Sequence, residues 1–254
     1  MKAAGYIAGK ALREAGRAVR PGITTAELDD IVRSCIEAQG ARPSFLNYNG
    51  FPASACISIN HQVIHGIPDR KTVIREGDLV KIDVGACKSG YHGDCAATFG
   101  AGDISDEAIR LIRVTRESFF AGLKFARPGY RLFDISHAIQ AAAEAEGYGV
   151  VRRYVGHGVG SHLHEDPEVP NYGNAGKGPR LIPGMTLAVE PMINVGTPEV
   201  ITRNDGWCVT TADGKLSSHF ENSILITDGD PLILTDDGTG PIVAEDWLPG
   251  QGRP

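Results

Sequence analysis

Ile74-Arg75-Glu76-Gly77-Asp78-Leu79-Val80-Lys81-Ile82-Asp83 returns later in the chain as Leu181-Ile182-Pro183-Gly184-Met185-Thr186-Leu187-Ala188-Val189-Glu190. In both stretches a glycine turn opens onto a β-like run, and the run ends in a carboxylate. Gly77 and Gly184 are 107 positions apart, and so are Asp83 and Glu190. Farther upstream, Arg20-Pro21-Gly22 and Arg127-Pro128-Gly129 keep the same spacing. A common offset held over about sixty positions indicates two copies of one structural unit. Each copy carries a second acid a short way on, Asp94 in the first and Glu221 in the second. Two pseudo-symmetric units that aim four carboxylates at one place need a cation there.

The sequence around these stretches repeats the same order of elements. A first helix is expected from about Lys2 to Val19, ended by Arg-Pro-Gly. A second begins with a capping box, Thr24 at the N-cap and Glu27 three residues on, and Gly40 suits its C-terminal end. In the second unit a helix is expected from Asp106 to Ala126, and another from Phe133 to Glu146. Leu79–Ala86 and Tyr91–Phe99 read as a hairpin turning at Lys88-Ser89-Gly90. Strands are expected at 185–190, 207–211 and 220–227. No linker separates the halves, so the 254 residues read as a single α+β catalytic domain. Its internal repeat covers about 1–100 and 105–227, and an irregular tail follows over 236–254.

Composition bounds the function. The net charge of -6 argues against bulk or specific nucleic-acid binding. No apolar run approaches the ~20 residues of a membrane span. The amino terminus is interrupted by Lys10, Arg13 and Arg17 and has no signal-peptide apolar block, so cytoplasmic residence is expected. Five scattered cysteines without a Cys-x-x-Cys pair suit free thiols in a reducing compartment.

A hairpin centred on Lys88-Ser89 would place Asp83 directly opposite Asp94, with Cβ atoms about 4.5–5.5 Å apart. Two carboxylates so close repel, and one takes a proton unless a cation lies between them. Glu190 follows the apolar run Leu187-Ala188-Val189, and Glu221 follows Phe220 and leads into Ile224-Leu225-Ile226. Burying such acids unpaired is very costly. His157 lies between glycines in Gly156-His157-Gly158-Val159-Gly160. Four carboxylates and a histidine form a hard, oxygen-rich set that suits Mn, Fe(II) or Co, with Zn also acceptable. Four acids are too many for one divalent ion, so two ions are expected. Paired ions about 3.5–4 Å apart activate a water while polarising a carbonyl or phosphoryl oxygen. The residues alone therefore read as a dinuclear metallohydrolase.

A set of motifs then resembles a known family. Asn60-His61-Gln62-Val63-Ile64-His65-Gly66-Ile67-Pro68-Asp69, Lys81-Ile82-Asp83-Val84-Gly85 and Tyr91-His92-Gly93-Asp94 come first. Gly156-His157-Gly158-Val159-Gly160, Leu163-His164-Glu165-Asp166-Pro167, Gly184 to Pro191 and Phe220-Glu221-Asn222 follow. Their order and spacing resemble the type I methionine aminopeptidases of peptidase family M24, and the second half has no long insertion of the type II kind. The likeness runs from the first helix to about Thr235.

That resemblance implies the pita-bread fold, in which each half sets paired helices beside antiparallel strands. It implies a metallo-exopeptidase that removes the N-terminal methionine from nascent proteins and peptides by means of a water activated between two divalent ions. Asp83 would hold one metal, Asp94 and Glu221 would bridge both, and His157 and Glu190 would complete the second. Glu190 would also relay protons. His65 and His164 would bind the scissile carbonyl and stabilise the tetrahedral intermediate. Tyr48, Phe51, Cys56 and Trp207 fall where the family lines its methionine pocket, while Phe45 and Leu163 occupy pocket-edge positions that differ from well-known members. Asn60, Gln62 and Ser217 match positions near a monovalent-cation site in some members. His61, His92 and His162 have no such counterpart. The implied partners are nascent polypeptide N-termini and, transiently, the ribosome, and the expected state is a monomer.

Two rivals share the fold. An Xaa-Pro peptidase usually carries an extra amino-terminal domain, and a non-catalytic binding module typically loses metal ligands. All five ligand positions are filled here.

Overall fold

The structure is a computed structural model and describes residues 1–239. The first half contains α1 (Lys2–Ala18), α2 (Thr25–Ala38), β1 (Arg42–Pro43), β2 (Ala55–Ile59), β3 (Gln62–Ile64), β4 (Leu79–Lys88) and β5 (Tyr91–Gly100). The second half opens with α3 (Asp106–Leu123), α4 (Leu132–Ala145), β6 (Gly149–Val150), β7 (Gly156–Gly158), β8 (Glu165–Val169) and β9 (Thr186–Val189). It ends with β10 (Met192–Asn194), β11 (Val200–Thr202), β12 (Val209–Thr211), β13 (Ser217–His219), β14 (Glu221–Leu225) and β15 (Leu232–Ile233).

The main sheet runs β1-β4-β5-β14-β9-β7-β8, with β2 also on β4 and β15 on β14. Its middle is the contact between β5 of the first half and β14 of the second, so one sheet spans both halves. Two small sheets, β13-β10-β6 and β11-β12-β3, complete the strands.

Local sequence accounts for the helices. Ala4, Ile7, Ala8, Ala11, Leu12 and Ala15 recur at helical spacing on α1 and are all buried. The capping box of α2 is formed by Thr24 and Glu27. Burial of one helix face against the sheet builds a core that draws Leu28, Val32 and Ile36 from α2 and Leu132, Ile135 and Ile139 from α4. Small residues let α1 approach β5 closely, since a Cβ on Gly93 would lie 2.5 Å from the Gly5 backbone. Helix α3 stops at Leu123, three residues before the expected Ala126. The start of α1 is held, with Gly5 N–H donating to the Met1 carbonyl at 2.9 Å.

Equivalent contacts recur at the 107-residue offset. The bridge between Thr24 and Val73 has its counterpart between Arg131 and Arg180. Ile74 N–H donates to the Ile23 carbonyl, and Leu181 N–H donates to that of Tyr130. Gly22 and Gly129, like Gly77 and Gly184, all have positive φ, a conformation that glycine adopts without a steric penalty.

Beyond Asp83 and Glu190 the correspondence changes. Asp83 pairs with Ala96 across β4 and β5, whereas Glu190 follows the Val189–Asn222 pair and thus comes level with Glu221. Asp94 and Glu221 are therefore not equivalent positions of the repeat. The hairpin register also corrects the expectation of direct opposition. The turn is Ser89-Gly90, both at positive φ as a two-residue hairpin turn requires, and Asp94 faces Gly85. Asp83 and Asp94 are diagonal neighbours, and they share a face because the displacement is an even number of residues.

Of the expected tail, residues 240–254 lie outside the described residues. Its beginning is tied down: Arg13 on α1 makes a paired contact to Asp237, Nε to Oδ2 at 2.7 Å and Nη2 to Oδ1 at 3.0 Å.

Candidate metal centre

Five neighbouring strands each deliver one side chain to a common point. Asp83 lies on β4, Asp94 on β5, Glu221 at the start of β14, Glu190 immediately after β9, and His157 on β7. In the sheet those strands stand in that same order, side by side. Strand alternation puts each side chain on the chosen face, and the crossing between β5 and β14 brings the two halves of the set together. Ser223 locks that crossing: its hydroxyl accepts from the Asp94 N–H and donates to the Asp94 carbonyl, both at 2.9 Å.

His157 Nε2 lies 3.9 Å from Asp94 Oδ2 and 3.7 Å from Glu190 Oε1. Its Nδ1–H donates to the Gly158 carbonyl at 2.9 Å, which fixes the tautomer and leaves Nε2 as a lone-pair donor toward the acids. Ligand atoms of Asp94, His157 and Glu221 all fall within 4.8 Å of one another. Asp83 Oδ1, Asp94 Oδ1 and Glu221 Oε1 are buried with no hydrogen-bond partner among the described residues. Buried carboxylate oxygens are not left unsatisfied without a cation or a proton.

The protonation behaviour states the same problem. Burial pushes Asp83 up to about 7 and Glu190 up to about 8. Burial, reinforced by the neighbouring carboxylates, drives Asp94 and Glu221 well above the ordinary carboxylate range. Burial pulls His157 down to about 4, so its imidazole is neutral at physiological pH. Oxygen donors that shed protons for a cation, with a neutral imidazole beside them, fit divalent transition ions.

The centre forms the floor of a cavity of about 190 Å³. All eleven residues singled out as ligands, catalytic groups or pocket walls line it, together with Phe45, Asn49 and Leu163. Phe45, Phe51, Cys56 and Leu163 are buried in one apolar cluster, with Tyr48 and Trp207 packed on it. Phe51 meets Trp207 edge to face, ring centroids 5.1 Å apart. The His164 ring lies tilted beside His157, centroids 4.1 Å apart, and its Nδ1 lies 2.7 Å from the Tyr48 hydroxyl. His65 has φ of 58°, a left-handed conformation rare outside glycine and concentrated at functional sites. Burial holds it down to about 4, hence neutral.

The remaining histidines sort apart. His92 is buried with Nδ1 at 2.8 Å from Ser44 Oγ, and His162 is exposed beside Glu165. Two histidines carry no expectation from the sequence: His137, exposed on α4 with Nδ1 3.2 Å from the Gly173 carbonyl oxygen, and His219. His219 is fully buried, with Nε2 at 3.6 Å from Glu190 Oε2 and 4.0 Å from Glu221 Oε2. Its only signal was its position two residues before Glu221, which puts both on the same side of an extended stretch.

At the positions that match a monovalent-cation site, the carbonyls of Asn60 and Ser217 accept hydrogen bonds from Lys81 Nζ at 2.6 and 3.1 Å. A tethered ammonium occupies those two acceptors in this chain, and burial pulls it down to about 7.

Comparison with known proteins agrees with this geometry. The sequence profile of metallopeptidase family M24 matches residues 1–228. The methionine aminopeptidase of Clostridium acetobutylicum is 54% identical over 235 residues, covering 92% of this chain and 94% of that one. The crystal structure of methionine aminopeptidase from Thermotoga maritima superposes with a TM-score of 0.92 at 44% identity, covering 93% of this chain and 95% of that one. The prolidase from Pyrococcus furiosus reaches a TM-score of 0.75 at 24% identity, covering 92% of this chain but 62% of its own, and shares the pita-bread fold alone.

Proposed function

The chain belongs to metallopeptidase family M24, among its methionine aminopeptidases, and from that premise we propose that it removes the N-terminal methionine from peptides and newly made proteins. The observation that carries this reading is the set of four buried or half-buried carboxylates and one histidine at the floor of an apolar, aromatic-walled cavity. Asp83, Asp94, His157, Glu190 and Glu221 would hold two divalent ions, with Fe(II), Mn or Co favoured by the donor set and Zn acceptable. When bound, such a pair polarises the scissile carbonyl and makes a water nucleophilic at neutral pH.

The protein's own groups do the rest. Glu190, whose carboxylate stands between His157 and His219, would take the proton of the attacking water and return it to the departing amine. His164 has Nδ1 engaged by Tyr48, which leaves Nε2 to donate toward the scissile carbonyl oxygen. His65, neutral and held in a strained backbone, offers a second donor on the substrate side. Donors preset for developing negative charge stabilise it without reorganising. Phe51, Cys56, Trp207 and Tyr48 form the wall for the methionine side chain, whose thioether packs well against aromatic edges. Among the described residues the apolar wall carries no charged side chain of either sign, which suits an uncharged first residue.

We place the enzyme in the cytoplasm as a monomeric single catalytic domain that meets nascent N-termini near the ribosome. Support comes from the net charge of -6, the free cysteines and the absence, among the described residues, of any helix long and apolar enough to cross a membrane. The test is release of the first residue from Met-Ala-Ser and Ala-Pro-Ser peptides, with metal-free protein titrated with Mn(II), Fe(II) or Co(II). Metal-dependent release from the first peptide alone is expected. Cleavage of only the second would move the chain to the Xaa-Pro branch, and no cleavage of either by folded, metal-loaded protein would favour a binding module.

A further inference from the structure

We propose that His219 is a sixth ligand of the metal centre, an imidazole that joins Glu190 and Glu221 around one of the two ions. The proposal builds on the dinuclear reading of the site and adds a residue that this reading leaves unused.

The geometry repeats that of His157. His157 Nε2 lies 3.7 and 3.9 Å from its two carboxylates, and His219 Nε2 lies 3.6 and 4.0 Å from its own. Both imidazoles share Glu190, His157 facing Oε1 and His219 facing Oε2. Ligand atoms of Glu190, His219 and Glu221 lie within 4.8 Å of one another, as do those of Asp94, His157 and Glu221. The two three-residue groups meet at Glu221, so both imidazoles stand at one continuous set of carboxylates.

Neither nitrogen of His219 has a hydrogen-bond partner among the described residues, although the ring is 1% exposed. Its separation from Glu190 exceeds the reach of an N–H···O hydrogen bond, so a simple positioning contact does not account for it. An imidazole buried without a partner is costly, and a shared cation between it and the two carboxylates removes that cost.

The backbone holds the ring in place. Thr98 Oγ1 accepts from the His219 N–H and donates to the His219 carbonyl, both at 2.9 Å. This is the reciprocal hydroxyl clamp that Ser223 applies to Asp94. Phe220, between His219 and Glu221, packs against Phe119 at 5.3 Å between centroids. A second imidazole also shifts the donor set toward nitrogen, which favours Fe(II), Co(II) or Zn over Mn(II).

Co(II) loading tests this directly, because the ring N–H proton of each coordinated imidazole is displaced far from the ordinary NMR envelope. Wild-type protein with two Co(II) should show two such resonances, and His219→Gln should show one. The variant should bind one of its two Co(II) ions roughly tenfold or more weakly by calorimetry, with a smaller loss for Mn(II). A single displaced imidazole in the metal-loaded wild type would overturn the proposal and leave the proposed function standing. No Co(II) uptake by folded wild type would overturn both. Should His219→Gln fail to fold, the wild-type count alone decides.

Discussion

Asp94 and Glu221 stand on adjacent strands, each buried, each with one oxygen left without a partner among the described residues. Replacing either by its amide keeps the shape and removes the charge that a cation needs. Asp94→Asn and Glu221→Gln should each lower kcat/KM by more than ~100-fold, while the metal-free variants melt no lower than metal-free wild type, since a buried like charge is gone. Near-normal turnover in either metal-loaded variant would remove the bridging assignment. His164 calls for a different signature. With a donor to the carbonyl lost and no ligand lost, His164→Ala should cost about 10²–10³ in kcat with metal affinity little changed. Loss of metal binding, measured by calorimetry, would instead make His164 a ligand. At this scale the sequence was legible wherever a residue was unusual for its surroundings, such as an acid in an apolar strand or a histidine between glycines. His219 escaped because a histidine after two serines looks ordinary. Only the pairing of strands shows what lies beside it.

Helices and strands were readable from caps and spacing, since those signals are local. The capping box at Thr24 and the glycine turns at 22, 77, 129 and 184 depend on nothing distant. Register was less legible. The hairpin turn falls at Ser89-Gly90 because both residues adopt positive φ, one position beyond the centre that Lys88-Ser89 would give. The error cost the direct pairing of Asp83 with Asp94 but not their common face, because the side-chain period is two. The packing of helix on sheet was not legible. Nothing in Gly93 or Gly5 alone tells that helix α1 rests on β5 through these two glycines. Gly93→Ala should push the helix away beside the Asp94 ligand and cost about 1–3 kcal/mol. Chemical denaturation should show a lower midpoint with an unchanged slope. An unchanged midpoint would mean that the contact yields at no cost.

The whole molecule is built around a charge problem that its own chain does not solve. Relative to the unfolded chain, the raised carboxyls bind extra protons between the ordinary carboxylate range and about pH 8, so each makes folding less favourable as pH rises. The buried histidines, held down to about 4, act in the opposite sense up to about pH 6.5, and Lys81, held down to about 7, does so above pH 7, but the four raised carboxyls outnumber it. Metal-free protein should therefore lose thermal stability from pH 6.5 to 8, and saturating Co(II) should raise the melting temperature more at pH 8 than at pH 6.5. A melting temperature that rises across that window without metal would contradict the burial of these acids. The 107-residue repeat foreshadowed two similar halves, because equivalent turns and bridges recur at that offset. It did not foreshadow that the halves diverge at the site, where Ala96 stands level with Asp83 but Glu221 comes level with Glu190. The most direct measurement is methionine release from Met-Ala-Ser by chelator-stripped protein, followed together with bound Co(II) as the ion is added back. The expectation is no release without metal, full release on reloading, and two ions per chain at saturation. Full release by metal-free protein, or a folded chain that binds no ion, would contradict it.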